Sequence, residues 1–138
     1  EILKRMGNIN TNLDLKAVVK PEQILSARKI VDQIHIAENI QQYIVSLVLA
    51  TRNPSEYGLK DLTSLINFGA SPRATIFLAT ASKSHAFLNK RGFVIPEDVR
   101  SVGKSILRHR IILTYEAEAE EITTEDIIQR IYESVPTP

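Results

Sequence analysis

The chain has 138 residues, of which 43% are apolar and 24% charged, with 17 basic and 16 acidic side chains and a net charge of +1. That length suits one domain able to bury roughly two-thirds of its unfolded surface, and the apolar share excludes a disordered chain. The absence of cysteine excludes disulfides, thiolate zinc sites and cysteine nucleophiles.

Residues 1–20 read as a connector: a short helical turn at Ile2–Met6, then Gly7, Asn8, Asn10 and Asn12. Glu1 stands where an initiator Met would, so the chain is expected to be a fragment or a processed product. Pro21 and Glu22 suit a first helical turn, and Ile24, Ala27, Val31 and Ile34 recur at helical spacing, which predicts a first helix over 21–33 with that stripe inward. An extended piece at Ile34–Ile36 follows. Ile40, Tyr43, Ile44, Leu47 and Val48 form a stronger buried stripe, and Asn53-Pro54 stops that second helix. Ser55–Ser71 is a loop with Gly58 and Gly69 and a helical turn near Lys60–Ile66.

A third helix is predicted from Pro72, with Ser71 as its N-cap and Ala74, Phe77, Leu78, Ala81, His85 and Leu88 on one face. Lys90-Arg91-Gly92 ends it and Phe93–Ile95 is extended. Pro96-Glu97-Asp98 opens a fourth helix with Val99, Val102 and Ile106 inward, and Ile111–Tyr115 is again extended. Thr123 or Thr124 caps a last helix that buries Ile127, Ile128, Ile131 and Val135. The fold class is therefore all-α, a bundle of about four main helices with short extended connectors over 21–138.

No apolar stretch approaches the ~20 residues needed to span a bilayer, and no signal peptide is visible. A cytoplasmic setting is expected. Charges of both signs are interspersed, and the third helix carries Ala, Ser and Thr with few basic residues, which argues against a nucleic-acid interface. A helical DNA-binding or adaptor module without a nucleotide role is the competing class. His35, His85 and His109 lack metal-ligand spacing, and Ser82 and Ser84 lack a recognisable base. Gly103-Lys104-Ser105 fails as a phosphate loop, because the earlier glycine of GxxxxGK[ST] falls on Asp98 and the tripeptide lies within a helical pattern. Glu116–Glu121, with four glutamates, reads as a solvated acidic loop.

One stretch stands apart: Phe68-Gly69-Ala70-Ser71-Pro72-Arg73-Ala74. Small residues allow close backbone approach, and an arginine just inside a helix start sits among amides without intrahelical partners, a setting that suits phosphate oxygens. On spacing alone, a capped helix with a solvated arginine is the simpler reading.

Gly69–Ala74 resembles the sensor-2 segment of MoxR-type AAA+ ATPases. Tyr43-Ile44-Val45, Leu47-Val48 and Ala50-Thr51-Arg52, then Phe93-Val94, Pro96–Val99, His109-Arg110-Ile111, Thr123–Ile128 and Val135-Pro136, resemble other blocks of that family's lid in the same order. The resemblance implies a lid domain that works beside an ATPase core, with Arg73 reaching the γ-phosphate of ATP. Pro72 and Ser71 would flank it, and Arg52 and Tyr43 are further candidates for nucleotide contact; on the bland view Arg52 neutralises a helix end and Tyr43 is core. It also implies ATP and Mg²⁺ held mainly by the core, a hexameric ring, chaperone-like remodelling of other proteins, and partners with a von Willebrand factor A domain. Without a phosphate loop or a Mg²⁺-binding carboxylate, this chain is not expected to hydrolyse ATP alone.

Overall fold

A computed structural model describes residues 16–138; the expected turn at Ile2–Met6 lies outside them. The elements run α1 (Pro21–Gln33), α2 (Glu38–Arg52), two 3₁₀ turns (Pro54–Tyr57 and Lys60–Thr63), β1 (Ile66–Phe68) and α3 (Arg73–Leu88). They continue with α4 (Pro96–Leu107), β2 (Ile112–Leu113), α5 (Tyr115–Ala119) and α6 (Thr124–Ser134). The fold is a helical bundle with one small sheet. No helix among the described residues is long and apolar enough to cross a membrane.

The core forms where α2, α3, α4 and α6 converge, around the fully buried Leu47, Leu62, Leu78, Leu107, Ile127, Ile128 and Ile131. The predicted inner faces of α2 and α6 are the observed ones. Thr123 caps α6, its Oγ1 accepting from the Asp126 amide at 3.2 Å while the Asp126 carboxylate accepts from the Thr123 amide at 2.9 Å. This reciprocal pair satisfies two donors at the helix start.

The extended connectors find partners. β1 and β2 pair antiparallel, Ile66 with Leu113 and Phe68 with Ile112, with an irregularity between them. His35 and Phe93 form an isolated parallel bridge, the His35 amide donating to Gly92 and the Val94 amide to His35, both at 3.0 Å. Each expected extended piece thus satisfies backbone groups that a loop would leave to water.

Three expectations need correction. α1 spans the predicted residues but buries none of its own; Ile24 and Leu25 are 55% and 56% exposed, and only Ile34, past its end, is buried. The helix lies at the periphery against α3, tied by Lys83 Nζ donating to the Asp32 carbonyl at 2.9 Å, so its apolar stripe lacks a second wall. Of the predicted α3 face, Ala74 and Leu78 are buried, but Phe77 is 47% and Leu88 76% exposed, and Ser82 and Ala86 complete the buried ridge instead. That small-residue i, i+4 ridge lets α4 approach closely. The acidic segment is not a loop over its whole length: Thr114 caps α5, its Oγ1 accepting from the Ala117 amide at 3.3 Å, although all four glutamates remain exposed.

A buried ion cluster joins α3 to α4. Asp98, in the first turn of α4, is fully buried. Its carboxylate accepts from Arg91 Nη1 at 2.6 Å and Nη2 at 2.5 Å, from the Ile95 amide at 2.9 Å, and from His85 Nδ1 at 2.7 Å. Burial alone would raise this carboxyl's pKa, but the Arg91 fork, the Ile95 amide and His85 outweigh it and hold it at about 2.

Candidate functional site

The site begins in the last turn of α2. Ala50 and Thr51 are fully buried there. Thr51 Oγ1 donates to the Val48 carbonyl at 2.7 Å and accepts from the Ala70 amide at 2.9 Å. Arg52 Nη1 reaches the Ala70 carbonyl at 3.4 Å. A Cβ on Gly69 would lie 2.2 Å from the Thr51 carbonyl oxygen, so no larger residue fits without moving backbone. Gly69 and Ala70 are therefore clasped to α2 through both backbone polar groups of Ala70 and through direct contact. The glycine serves this close packing of two backbones.

The clasp delivers the chain to the start of α3. Pro72 is already helical (φ −54°, ψ −25°) and occupies the cap position, with Arg73 as the first helical residue. The predicted Ser71 side-chain cap is absent. Instead the Ala74 and Thr75 amides donate to the Ser71 and Pro72 carbonyls at 2.8 and 3.1 Å. Pro72 also accepts from Thr75 Oγ1 at 2.7 Å. These tight turns consume two amides expected to be free, so anion attraction at this end falls chiefly to the arginine.

Arg73 is exposed and makes no hydrogen bond or ion pair with any described side chain. Arg52, also exposed, lies on the other side of Ala70 through its carbonyl contact. Tyr43 sits elsewhere: it is 3% exposed within the core, and its hydroxyl accepts from Arg100 Nε at 2.9 Å. The structure thus gathers Arg52, Ser71, Pro72 and Arg73 around one segment and places Tyr43 among the packed side chains beneath.

The donor set suits phosphate oxygens, which planar cationic forks recognise well. It does not suit Mg²⁺, which requires oxygen ligands; among the described residues no cluster of three or more His, Asp or Glu could hold a metal ion. Gly103-Lys104-Ser105 lies inside α4, where a Cβ on Gly103 would come within 1.9 Å of the Tyr132 hydroxyl oxygen. That glycine lets α4 and α6 cross closely.

Sequence reasoning gave no role to Arg110. Its guanidinium lies over the ring of the half-exposed Phe77, 4.5 Å from the centroid. Nor did it find the Asp98 cluster, whose members do not share one helix face.

Comparison with known proteins bears on this geometry. Residues 61–131 match the family model described as the AAA lid domain. Chaperone MoxR1 of Mycobacterium tuberculosis is 38% identical over 138 residues, the whole of this chain and 36% of that protein. Protein MoxR of Methylorubrum extorquens is 34% identical over 105 residues, 72% of this chain and 30% of that protein. A crystal structure of a candidate ATPase from Cytophaga hutchinsonii superposes with a TM-score of 0.93 at 43% identity, covering 99% of this chain and 42% of that one. The chain spans about a third of the length of the curated relatives it matches. The chain belongs to the AAA lid domain family, and its relatives put it in the MoxR group.

Proposed function

We propose that this lid couples the nucleotide state of an ATPase core to chaperone-like remodelling of other proteins, with Arg73 as the residue that meets the γ-phosphate. The observation that carries this reading is an exposed arginine, unpartnered among the described residues, at the first position of α3, just after backbone clasped tightly to α2. An unpaired guanidinium on a fixed backbone is preorganised for charge that arrives from outside the domain. ATP supplies the anhydride bond that breaks; this chain supplies a cation that stabilises phosphate charge and links its presence to lid orientation.

Residues 1–20 would act as the connector from the core, and Arg52 would add a second positive charge beside the segment. The core would hold Mg²⁺. The reading extends to a hexameric cytoplasmic ring with partners bearing a von Willebrand factor A domain, as the MoxR resemblance implies. Replacing Arg73 by alanine in the full-length ATPase tests the central point. Loss of a charge-stabilising donor costs about 2–4 kcal/mol, so turnover should fall roughly 30- to 1000-fold. The thermal midpoint should hold, because the side chain is exposed and makes no hydrogen bond or ion pair among the described residues. Wild-type turnover in a folded variant removes Arg73 from the mechanism.

A further inference from the structure

Arg110 follows α4, in the turn that leads to β2. Its Nε is buried without a hydrogen-bond partner. Its two Nη groups make no hydrogen bond or ion pair among the described residues, and neither is sealed from solvent. What holds this guanidinium is the ring of Phe77, at 4.5 Å. Phe77 is four residues after Arg73 on α3, so the two share one helix face with Cβ atoms about 6 Å apart. The cation on the Phe77 ring therefore lies against the side of α3 that carries Arg73.

Two guanidinium groups, neither with an acidic partner among the described residues, therefore belong to the same side of α3. Such like charges repel when the site is empty and gain jointly when one anion lies between them. The stacked ring fixes the plane of the Arg110 fork without using its outer donors, which a flexible solvated arginine would not require.

The geometry points to Arg110 as a second phosphate-binding cation, holding the same nucleotide polyphosphate as Arg73. This rests on the reading of Arg73 given above. In the full-length ATPase, Arg110→Met retains an aliphatic stem over Phe77 while removing the charge. Arg110→Lys retains the charge but loses the planar fork.

ATP dissociation constants, kcat and KM are measured for both, for Arg73→Ala and for the Arg73→Ala/Arg110→Met double variant, with thermal unfolding as the check on folding. Arg110→Met should weaken ATP binding roughly tenfold or more, the size of a lost charged hydrogen bond, and Arg110→Lys should fall in between. The double variant should lose less than the product of the two single losses, because both cations act on one ligand. A folded Arg110→Met enzyme with wild-type ATP affinity and turnover overturns the assignment. If Arg73→Ala is impaired in the same experiment, the Arg73 reading survives alone; if both are indifferent, both fall. A change in assembly mass by light scattering with ATP affinity intact would assign Arg110 to a carboxylate on another protein surface, and also overturns the proposal. Should Arg110→Met fail to fold, Arg110→Lys decides: about threefold weaker ATP binding supports the role, and unchanged binding refutes it.

Discussion

Replacing Asp98 by alanine removes the acceptor for Arg91, His85 and the Ile95 amide in a place water does not reach. Two routes give the size of the effect. Removing one member of a fully buried pair costs about 3–5 kcal/mol; here the upper part of that range is discounted, because Arg91 and His85 are left 25% and 34% exposed and water can reach them. Independently, the shift of the carboxyl from 3.8 to about 2 is worth ~2.4 kcal/mol to the ionised form at neutral pH. The second figure is smaller because it compares two protonation states and leaves the hydrogen bonds of the neutral acid in place. Because the folded value is depressed, this stabilisation is complete above pH ~4 and disappears as pH falls toward 2. Urea unfolding of the chain, followed by circular dichroism from pH 7 to pH 2, reads both quantities. The alanine variant should lose about 2–4 kcal/mol, roughly 7–14 °C in midpoint. Asp98→Asn should show a flatter acid limb than the wild type. An Asp98→Ala loss below about 1 kcal/mol, or identical acid limbs, would refute the view that this cluster fastens α3 to α4.

Two further outcomes follow from close contacts. Gly103→Ala should destabilise the fold by about 1–3 kcal/mol through overpacking against Tyr132, and adding Tyr132→Phe should recover most of it, since the next nearest atom is the ring carbon at 3.2 Å; a thermal-melt double-mutant cycle measures this. Thr51→Val should cost about 1–3 kcal/mol by stranding the buried Ala70 amide, and Thr51→Ser should restore it; chemical denaturation compares the three.

Helices with a strong apolar stripe and a clear stop were legible in the sequence, as α2 and α6 demonstrate. For α1 periodicity gave the span yet not the burial, because a stripe of Ile and Val carries no information on whether a partner covers it. On α3 the large apolar residues drew attention away from Ser82 and Ala86, which continue the ridge begun by Ala74 and Leu78 and whose value is their small size. Asp98 read as an ordinary first-turn acid, because its partners His85 and Arg91 come from a different helix and from a loop. At the candidate site, Arg73 could be singled out from its segment and the MoxR resemblance. The Thr51 clasp and the Phe77–Arg110 stack depend on contacts 19 and 33 residues apart along the chain, beyond the reach of local spacing.

The clasp between α2 and the residues before α3 has a mechanical consequence. To shift the Arg73 backbone independently of α2, the protein would have to break the Thr51 and Arg52 bonds and prise open a junction too tight to admit a methyl group. The arginine therefore behaves like a pointer welded to its dial: it can register a rotation of the whole body, and its backbone cannot wander separately.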